Sequence, residues 1–215
     1  MLYIMSLALV PVVFLSVFII LSQVDEPVTM PKEGESVLGK HIYSRQNSKN
    51  DEETIYNYIR QTFKKISNVD AKRISENLVN YGKKYRVDPK FAAAVIARES
   101  GFKKDAVSKT GAKGLGQIKD FNFKDLNIND PYKIDQNVSG TVQYMKKMIK
   151  KWQKEPQYKT KKNEQRLTDE HKIKLALASY YKGFTAVKTE GVDKKTSQYV
   201  DDIVAYYKDI LRSQR

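Results

Sequence analysis

Glu99 is the residue of this 215-residue chain that is best placed to act as an acid catalyst. It follows a run of small apolar residues at positions 92–97, which has the composition of a buried helix, and it precedes a segment rich in glycine. A carboxyl group at the C-terminal end of a helix lies near the negative end of the helix dipole, and burial also disfavours its charged form. Both effects favour a carboxylic acid that keeps its proton near neutral pH, as a general acid must. The alternative is an ordinary exposed glutamate at a helix end.

Ordered motifs surround Glu99. The pattern Glu-Ser-x-Phe begins at position 99, Ala-x-Ser at position 106 and Gly-Ala-x-Gly-Leu-x-Gln-Ile at position 111. Further along the chain stand Asn137-Val138 with Gly140 and Tyr144-Met145, then Ala-Ser-Tyr-Tyr-Lys-Gly from position 178, and Tyr-Val at position 199. Over residues 70–210 this series resembles the signature of the lytic transglycosylases with the lysozyme-like soluble-lytic-transglycosylase (SLT) catalytic domain.

The resemblance implies an all-α, lysozyme-like domain that cleaves the β-1,4 bond between N-acetylmuramic acid and N-acetylglucosamine in peptidoglycan. In this family one glutamate serves both steps. Glu99 would protonate the glycosidic oxygen and then take the proton from the muramyl C6 hydroxyl, which closes a 1,6-anhydro ring. The acetamido group of the substrate stabilises the positive centre, so the family needs no second carboxylate, no metal and no cofactor. The partner would be the glycan strand of peptidoglycan, and the role would be cell-wall remodelling or local opening of the wall.

The same resemblance implies roles for residues around the acid. Tyr180 would hydrogen-bond Glu99 and orient it, with a core aromatic residue as the alternative. Seven residues would bind the sugars through side chains or backbone groups: Ser100, Ser108, Gly114, Leu115, Gln117, Tyr144 and Tyr181. For Ser108 the alternative is a hydroxyl that stabilises its own loop.

Two neighbouring residues depart from the family pattern. Tyr181 stands where the family usually has Asn, and Lys182 replaces a small residue. This departure puts a substrate contact at the floor of the cleft in doubt, but it leaves the acid in place. It is also the feature that favours one alternative function, a catalytically silent wall-binding scaffold protein. The other alternative is a hydrolytic lysozyme on the same fold, in which water attacks the sugar instead of the C6 hydroxyl.

The composition limits the other classes of function. The chain has no cysteine and two histidines that are far apart in sequence, so we expect no disulfide framework and no zinc site. A formal net charge of +14 favours an anionic partner, and the alternative is that lysine simply covers a solvated surface. Neither a Gly-rich phosphate loop nor a nucleic-acid motif accompanies the charge. The charge is therefore compatible with acidic lipid or with an acidic polymer such as cell wall, and we expect no nucleic acid.

Residues 1–24 carry no charged side chain and are long enough to span a membrane, so they predict a transmembrane anchor. A cleaved signal peptide is the alternative, although a positively charged start and a clear cleavage site are lacking. Residues 25–50 are polar with several prolines and glycines, and they predict a flexible linker. An anchored chain would lie in the cytoplasmic membrane with its catalytic domain facing the periplasm or the wall, where an envelope-spanning assembly could be a partner. Signal cleavage would instead give a secreted protein.

Helical periodicity fills residues 51–215, which we interpret as the catalytic domain. Apolar stripes predict helices around residues 55–66, 74–85 and 138–152, and two more helices follow. Asp88 followed by Pro89 predicts the start of the central helix, and Gly101 predicts its end. The polar residues 154–166 predict a loop, and no segment shows the alternation of a strand. The sequence therefore predicts an all-α domain that presents Glu99 at the end of its central helix.

Overall fold

The computed structural model describes residues 48–159 and 164–213, and most of these residues are helical. In chain order the elements are α1 (Ser48–Thr62), α2 (Asn68–Tyr85), α3 (Pro89–Ser100), a 3₁₀ turn (Asp120–Asn122), α4 (Phe123–Leu126), α5 (Ile134–Gln153), β1 (Gln157–Lys159), β2 (Glu164–Arg166), α6 (Asp169–Lys182), α7 (Phe184–Glu190) and α8 (Lys194–Arg212). The prediction of a mostly helical domain is confirmed. The predicted membrane anchor and most of the predicted linker lie outside the described residues. Within the described ranges, no helix is both long and apolar enough to cross a membrane.

The central helix α3 begins and ends where the sequence predicts. Asp88 is its N-cap and accepts a hydrogen bond from the backbone N–H of Lys90 at 2.8 Å. Pro89 stands in the first turn, where its missing N–H costs nothing. Gly101 ends the helix in the left-handed region, with φ 57° and ψ 39°. Residues 91–97 are almost fully excluded from solvent, because α1, α2, α5 and α8 pack around the helix.

A buried polar cluster fixes the N-terminal end of α3. The hydroxyl of Tyr207 in α8 donates to Asp88 at 2.7 Å, and Lys90 forms an ion pair with Asp51 of α1. These side chains are nearly inaccessible to solvent. Because each buried charge has a partner, the cluster joins α1 and α8 to α3 without the penalty of an unpaired charge. The end of α3 opposite Glu99 is therefore held on two sides.

The structure differs from the prediction after α5. Residues 154–166, predicted as a loop, contain the antiparallel pair β1–β2, in which Gln157 pairs with Arg166 and Lys159 pairs with Glu164. Strands of three residues are too short to show an alternating pattern, so periodicity could not reveal them. The seven-residue helix α7 was missed for the same reason, since two turns carry no recognisable apolar stripe.

The remaining predicted helices are confirmed, with small shifts at their ends. Thr168 is the N-cap of α6, and its hydroxyl accepts from the backbone N–H of His171 at 3.2 Å. Helix α1 begins at Ser48, so the last three residues of the predicted linker belong to it. It ends at Thr62, before the predicted end at residue 66. Phe63 and Ile66 therefore pack against the core from the turn that follows the helix.

Candidate active site

Glu99 is the next-to-last residue of α3 and is half-buried. Burial raises the pKa of Glu99 from its usual 4.5 to about 7, against the lowering effects of a hydrogen bond from Tyr199 and the charge of Arg98. Burial has the larger effect because the ionised carboxylate loses the solvation of water. The carboxyl group is therefore partly protonated at neutral pH, as acid–base chemistry requires.

The hydroxyl that orients Glu99 belongs to Tyr199 and not to Tyr180. Tyr199 of α8, whose ring is buried, donates to Glu99 Oε1 at 2.5 Å. The buried Tyr180 hydroxyl donates instead to the backbone carbonyl of Gly116 at 2.7 Å. A phenol has one proton to donate, and that of Tyr180 is used by the loop. The structure thus shows the Tyr180 hydroxyl on the loop and not on Glu99, and the predicted catalytic role of Tyr180 stays a prediction.

Two side chains hold the ring of Tyr199. The guanidinium group of Arg98 lies 5.3 Å from its centroid, and Asp202 fixes Arg98 through a hydrogen bond of 2.7 Å. The ring of Tyr181 stacks on Tyr199, with 4.7 Å between centroids and 23° between planes. Stacked aromatic rings and a cation over a ring both attract. The hydroxyl that contacts Glu99 is thus positioned by contacts on its own ring.

Ser108 stabilises the loop in which it lies. Its Oγ accepts from the backbone N–H groups of Ala112 at 3.0 Å and Thr110 at 3.3 Å. Its own N–H donates to the carbonyl of Ala112 at 2.9 Å. The loop-stabilising role that the sequence left open for Ser108 is therefore present in the structure, and its predicted contact with sugar stays a prediction.

Gln117 also closes the loop 106–118. Its side-chain amide nitrogen donates to the carbonyls of Gly114 at 2.9 Å and Ala106 at 3.1 Å. Its backbone has a positive φ of 49°, which is unusual for a residue other than glycine. The two hydrogen bonds hold the side chain along the loop, so a sugar would meet an amide whose direction is already fixed.

Helices α5 and α6 hold this loop against the domain. Asn137 of α5 is 1% exposed; its amide donates to the carbonyl of Pro131 at 2.8 Å and accepts from the N–H of Gly116 at 2.8 Å. Because Tyr180 donates to the Gly116 carbonyl, both backbone polar groups of this glycine are satisfied. The loop is therefore fixed to α5 and α6 by hydrogen bonds.

The other predicted sugar-binding residues take different positions. Leu115 is fully buried, and its backbone is as inaccessible to solvent as its side chain. Tyr144 is half-buried and packs edge-to-face on Tyr180, with 5.0 Å between ring centroids. Ser100 donates to the carbonyl of Ile96 one turn earlier in α3, at 3.4 Å. The structure does not test whether these residues contact sugar.

The departure at Lys182 has a structural explanation. Its ammonium group lies 3.1 Å from both Glu190 and Asp193 and donates to the carbonyl of Gly191 at 3.3 Å. These contacts connect the end of α6 to the last residue of α7 and to the turn that precedes α8. Lys182 thus fixes the residue beside it, Tyr181, relative to the start of α8.

Sequence reasoning missed the role of Tyr199, although the Tyr-Val motif at position 199 was recognised. In the described part of the chain, no group of three or more His, Cys, Asp or Glu side chains is arranged to hold a metal ion. The arrangement that is present consists of one partly protonated carboxyl group, its phenolic donor and a docked glycine-rich loop. It can give a proton to a bound ligand and take one back.

Comparisons with known proteins show the family of this chain. The family model described as the transglycosylase SLT domain matches residues 76–202. The membrane-bound lytic murein transglycosylase F of Pectobacterium atrosepticum is 33% identical over 98 residues, which are 46% of this chain and 18% of that protein. The crystal structure of an inactive mutant of the lytic transglycosylase Slt from Pseudomonas aeruginosa gives a TM-score of 0.50 at 18% identity, over 76% of this chain and 30% of that chain. The chain thus spans less than a third of the length of either protein, and the likeness to the crystal structure concerns the fold alone.

Proposed function

We propose that this chain, which belongs to the transglycosylase SLT family, is a peptidoglycan lytic transglycosylase. It cleaves the β-1,4 bond between N-acetylmuramic acid and N-acetylglucosamine and forms 1,6-anhydromuramyl products. The observation that carries the proposal is the carboxyl group of Glu99, half-buried at the end of α3 with a pKa of about 7. A reaction that uses one carboxyl group first as an acid and then as a base needs a pKa close to the working pH.

Glu99 carries the proton through both steps. The protonated carboxyl group donates to the glycosidic oxygen, which leaves with the electron pair of its bond to the anomeric carbon. The acetamido group of the substrate stabilises the positive charge. The carboxylate then accepts the proton of the muramyl C6 hydroxyl, whose oxygen bonds to the anomeric carbon and closes the anhydro ring. The acid is thereby restored in its protonated form, and no external base is consumed.

Tyr199 has two effects in this scheme. Its hydroxyl holds Glu99 Oε1, so Oε2 is the oxygen that meets the glycosidic bond. Its hydrogen bond also stabilises the ionised carboxylate and lowers the pKa of Glu99 below the value that burial alone would give. The acid therefore remains weak enough to hold its proton and strong enough to release it.

We expect Tyr199→Phe to lower the rate of wall cleavage by roughly 10- to 100-fold, the size expected for loss of one orienting hydrogen bond at a catalytic group. The loss of this hydrogen bond also raises the pKa of Glu99, so the alkaline limb of the pH–rate profile should move to higher pH. Initial rates on purified sacculi between pH 5 and 9 measure both effects. Tyr180→Phe is the matched control, because its hydroxyl serves Gly116. A shifted limb in the control and an unshifted limb in Tyr199→Phe would overturn this assignment.

The mass of the released products tests the proposed reaction. We expect muropeptides with a 1,6-anhydro end when purified sacculi are incubated with the full chain. Hydrolysis by a lysozyme-type reaction would give products heavier by one water, since water would replace the C6 hydroxyl as the attacking group. Release of neither product would favour the wall-binding scaffold protein. Mass spectrometry of the soluble fraction distinguishes the three outcomes.

We also propose that the protein acts at the cell envelope, anchored by residues 1–24 with the domain outside the cytoplasmic membrane. The apolar length of this segment supports an anchor, and the substrate lies beyond the membrane. The partners are the glycan strands and an envelope-spanning assembly that needs a local opening in the wall. Protease added to spheroplasts should digest the domain; protection until lysis would exclude this topology.

A further inference from the structure

The ion pair of Arg98 with Asp202 is a second polar contact between α3 and α8 beside the proposed acid. Arg98 directly precedes Glu99 in α3, and its Nε donates to Asp202 Oδ2 at 2.7 Å. Three positions before Asp202 in α8, the Tyr199 hydroxyl donates to Glu99 at 2.5 Å. Residues three apart in a helix lie on one face, about 4.5 Å apart along the axis. The two contacts therefore lie side by side and together fix α8 against α3.

Asp202 is itself held in place on α8. The side-chain amide of Gln198, one turn earlier, donates to Asp202 Oδ1 at 2.8 Å. Each carboxylate oxygen thus has its own donor, and Oδ2 is directed at Arg98. The Arg98 guanidinium in turn lies 5.3 Å from the centroid of the Tyr199 ring. A series of contacts therefore connects Asp202 to the ring whose hydroxyl orients the acid.

The stability of the fold does not explain this ion pair. Its two side chains are 38% and 32% exposed, and an ion pair that is exposed to this degree contributes little to stability. The pair borders a cavity of about 310 Å³, whose other lining residues are Ala205, Tyr206 and Asp209. Without Asp202 the guanidinium group could turn into this cavity, where water and a second carboxylate would attract it. Holding Arg98 against Tyr199 is therefore an effect of Asp202 that is separate from stability.

We propose that Asp202 is a positioning residue, which acts on the acid by holding the Arg98 guanidinium against the ring of Tyr199. The assignment rests on the proposed function, since the acid is that of the proposed reaction. Two effects follow from the geometry: the ring keeps its orientation, and a positive charge stays near the carboxyl group. This charge lowers the pKa of Glu99 and so makes the acid stronger.

The described groups that interact electrostatically with Glu99 come from three helices. They are Arg98 on the same helix, Tyr199 on α8 and Tyr180 on α6. Burial raises the pKa of both tyrosines well above the usual value, so both stay neutral over the range in which Glu99 titrates. Arg98 is therefore the charge through which a change at Asp202 reaches the acid.

The pH–rate profile of Asp202→Asn tests the proposal by the sign of a shift. Release of Arg98 from the ring raises the pKa of Glu99, so the alkaline limb for cleavage of sacculi should move to higher pH. The highest rate should fall by roughly two- to fivefold, the size expected for a partly exposed ion pair. If Asp202 acted on the acid directly, loss of its negative charge would lower the pKa of Glu99 instead. A limb that moves to lower pH, or does not move, would overturn the proposal.

Two controls separate positioning from a general effect of charge or folding. Asp201→Asn removes the same charge from the neighbouring exposed position of α8 and should leave the limb in place. Arg98→Gln removes the group through which Asp202 acts, so adding Asp202→Asn to it should give no further shift. A shift in Asp201→Asn, or a further shift in the double variant, would contradict the assignment. A smaller folded fraction lowers the rate at every pH alike and leaves the limb where it is.

Direct titration of Glu99 separates this proposal from the proposed function. The side-chain carboxyl signal of Glu99 is followed by carbon-13 NMR in the full chain, and its absence in Glu99→Gln assigns it. If the wild type does not cleave sacculi but Asp202→Asn raises the pKa of Glu99, the positioning role stands and the proposed reaction fails. If the wild type cleaves sacculi and Asp202→Asn leaves both the limb and the NMR titration unchanged, the reaction stands and the positioning role fails.

Discussion

Glu99→Gln should reduce the release of muropeptides from purified sacculi by about 10³-fold or more, because loss of an acid and base costs on the order of 10²–10⁴-fold and one residue serves both steps here. The amide has nearly the shape of the carboxyl group, and its oxygen can still accept from the Tyr199 hydroxyl. We therefore expect the fold to be retained. Single-turnover release from sacculi and circular dichroism measure the two properties.

The matched control for this variant is Asp105→Asn. Asp105 is exposed in the loop after α3. Its replacement by Asn removes the same negative charge at a position close in sequence to the acid. We expect near wild-type activity, since the proposed reaction needs one carboxyl group. Activity above a few per cent of wild type in Glu99→Gln, or a comparable loss in Asp105→Asn, would show that Glu99 is not the sole acid.

Glu99→Gln should also be more stable than the wild type at alkaline pH. The folded-state pKa of Glu99, about 7, lies above its usual value of 4.5. Its contribution to stability is therefore fully present below pH 4.5 and is lost as the pH rises through 7, because the ionised carboxylate is poorly solvated. At about 1.4 kcal/mol per pKa unit, the difference in unfolding free energy at pH 8 should be on the order of 1–3 kcal/mol in favour of Glu99→Gln. Denaturant unfolding at pH 5 and pH 8 measures it.

Local sequence signals were sufficient to predict the central helix. An N-cap aspartate before a proline and a glycine after the acid define the ends of α3, and both ends are where these residues predict them. These signals depend on hydrogen bonds within a few residues, so they can be recognised without knowledge of the packing. The position of Glu99 at the end of a buried helix follows from them.

The hydrogen-bond partner of Glu99 could not be predicted in the same way. Tyr180 and Tyr199 both lie on buried helix faces, and the donor comes from 100 positions further along the chain. Which of two tyrosines reaches the acid depends on how α8 packs on α3 and how α6 packs on α5 and α8. Apolar periodicity does not contain that information. The stack of Tyr181 on Tyr199 is a contact of the same kind. Contacts between helices that are distant in sequence could therefore not be predicted from the sequence.

Gly114→Ala should have the largest effect on stability of the substitutions considered, with a loss of roughly 3–5 kcal/mol in the free energy of unfolding. Gly114 has φ +73°, and a Cβ at this position would overlap the amide of Asn137 and the carbonyl of Pro131. These two groups are joined by the hydrogen bond that docks the loop. The substitution therefore strains the backbone and also separates buried polar partners, each of which carries its own cost. Denaturant unfolding at pH 6 measures the loss.

Gly111→Ala separates these two costs. Gly111 has a similar φ of +80°, but nothing lies within 4 Å of the position of its Cβ. It should therefore lose about 1–2 kcal/mol, the cost of a left-handed residue alone. The additional loss of stability in Gly114→Ala then measures the contact with Asn137. We expect cleavage of sacculi to fall with the stability, because Gly116 of the loop is hydrogen-bonded to Tyr180, which lies close enough to Glu99 for the charge of Glu99 to raise its pKa. Equal losses in the two variants would show that Asn137 can move aside, and that the loop is not docked as tightly as the hydrogen bonds of Asn137 indicate.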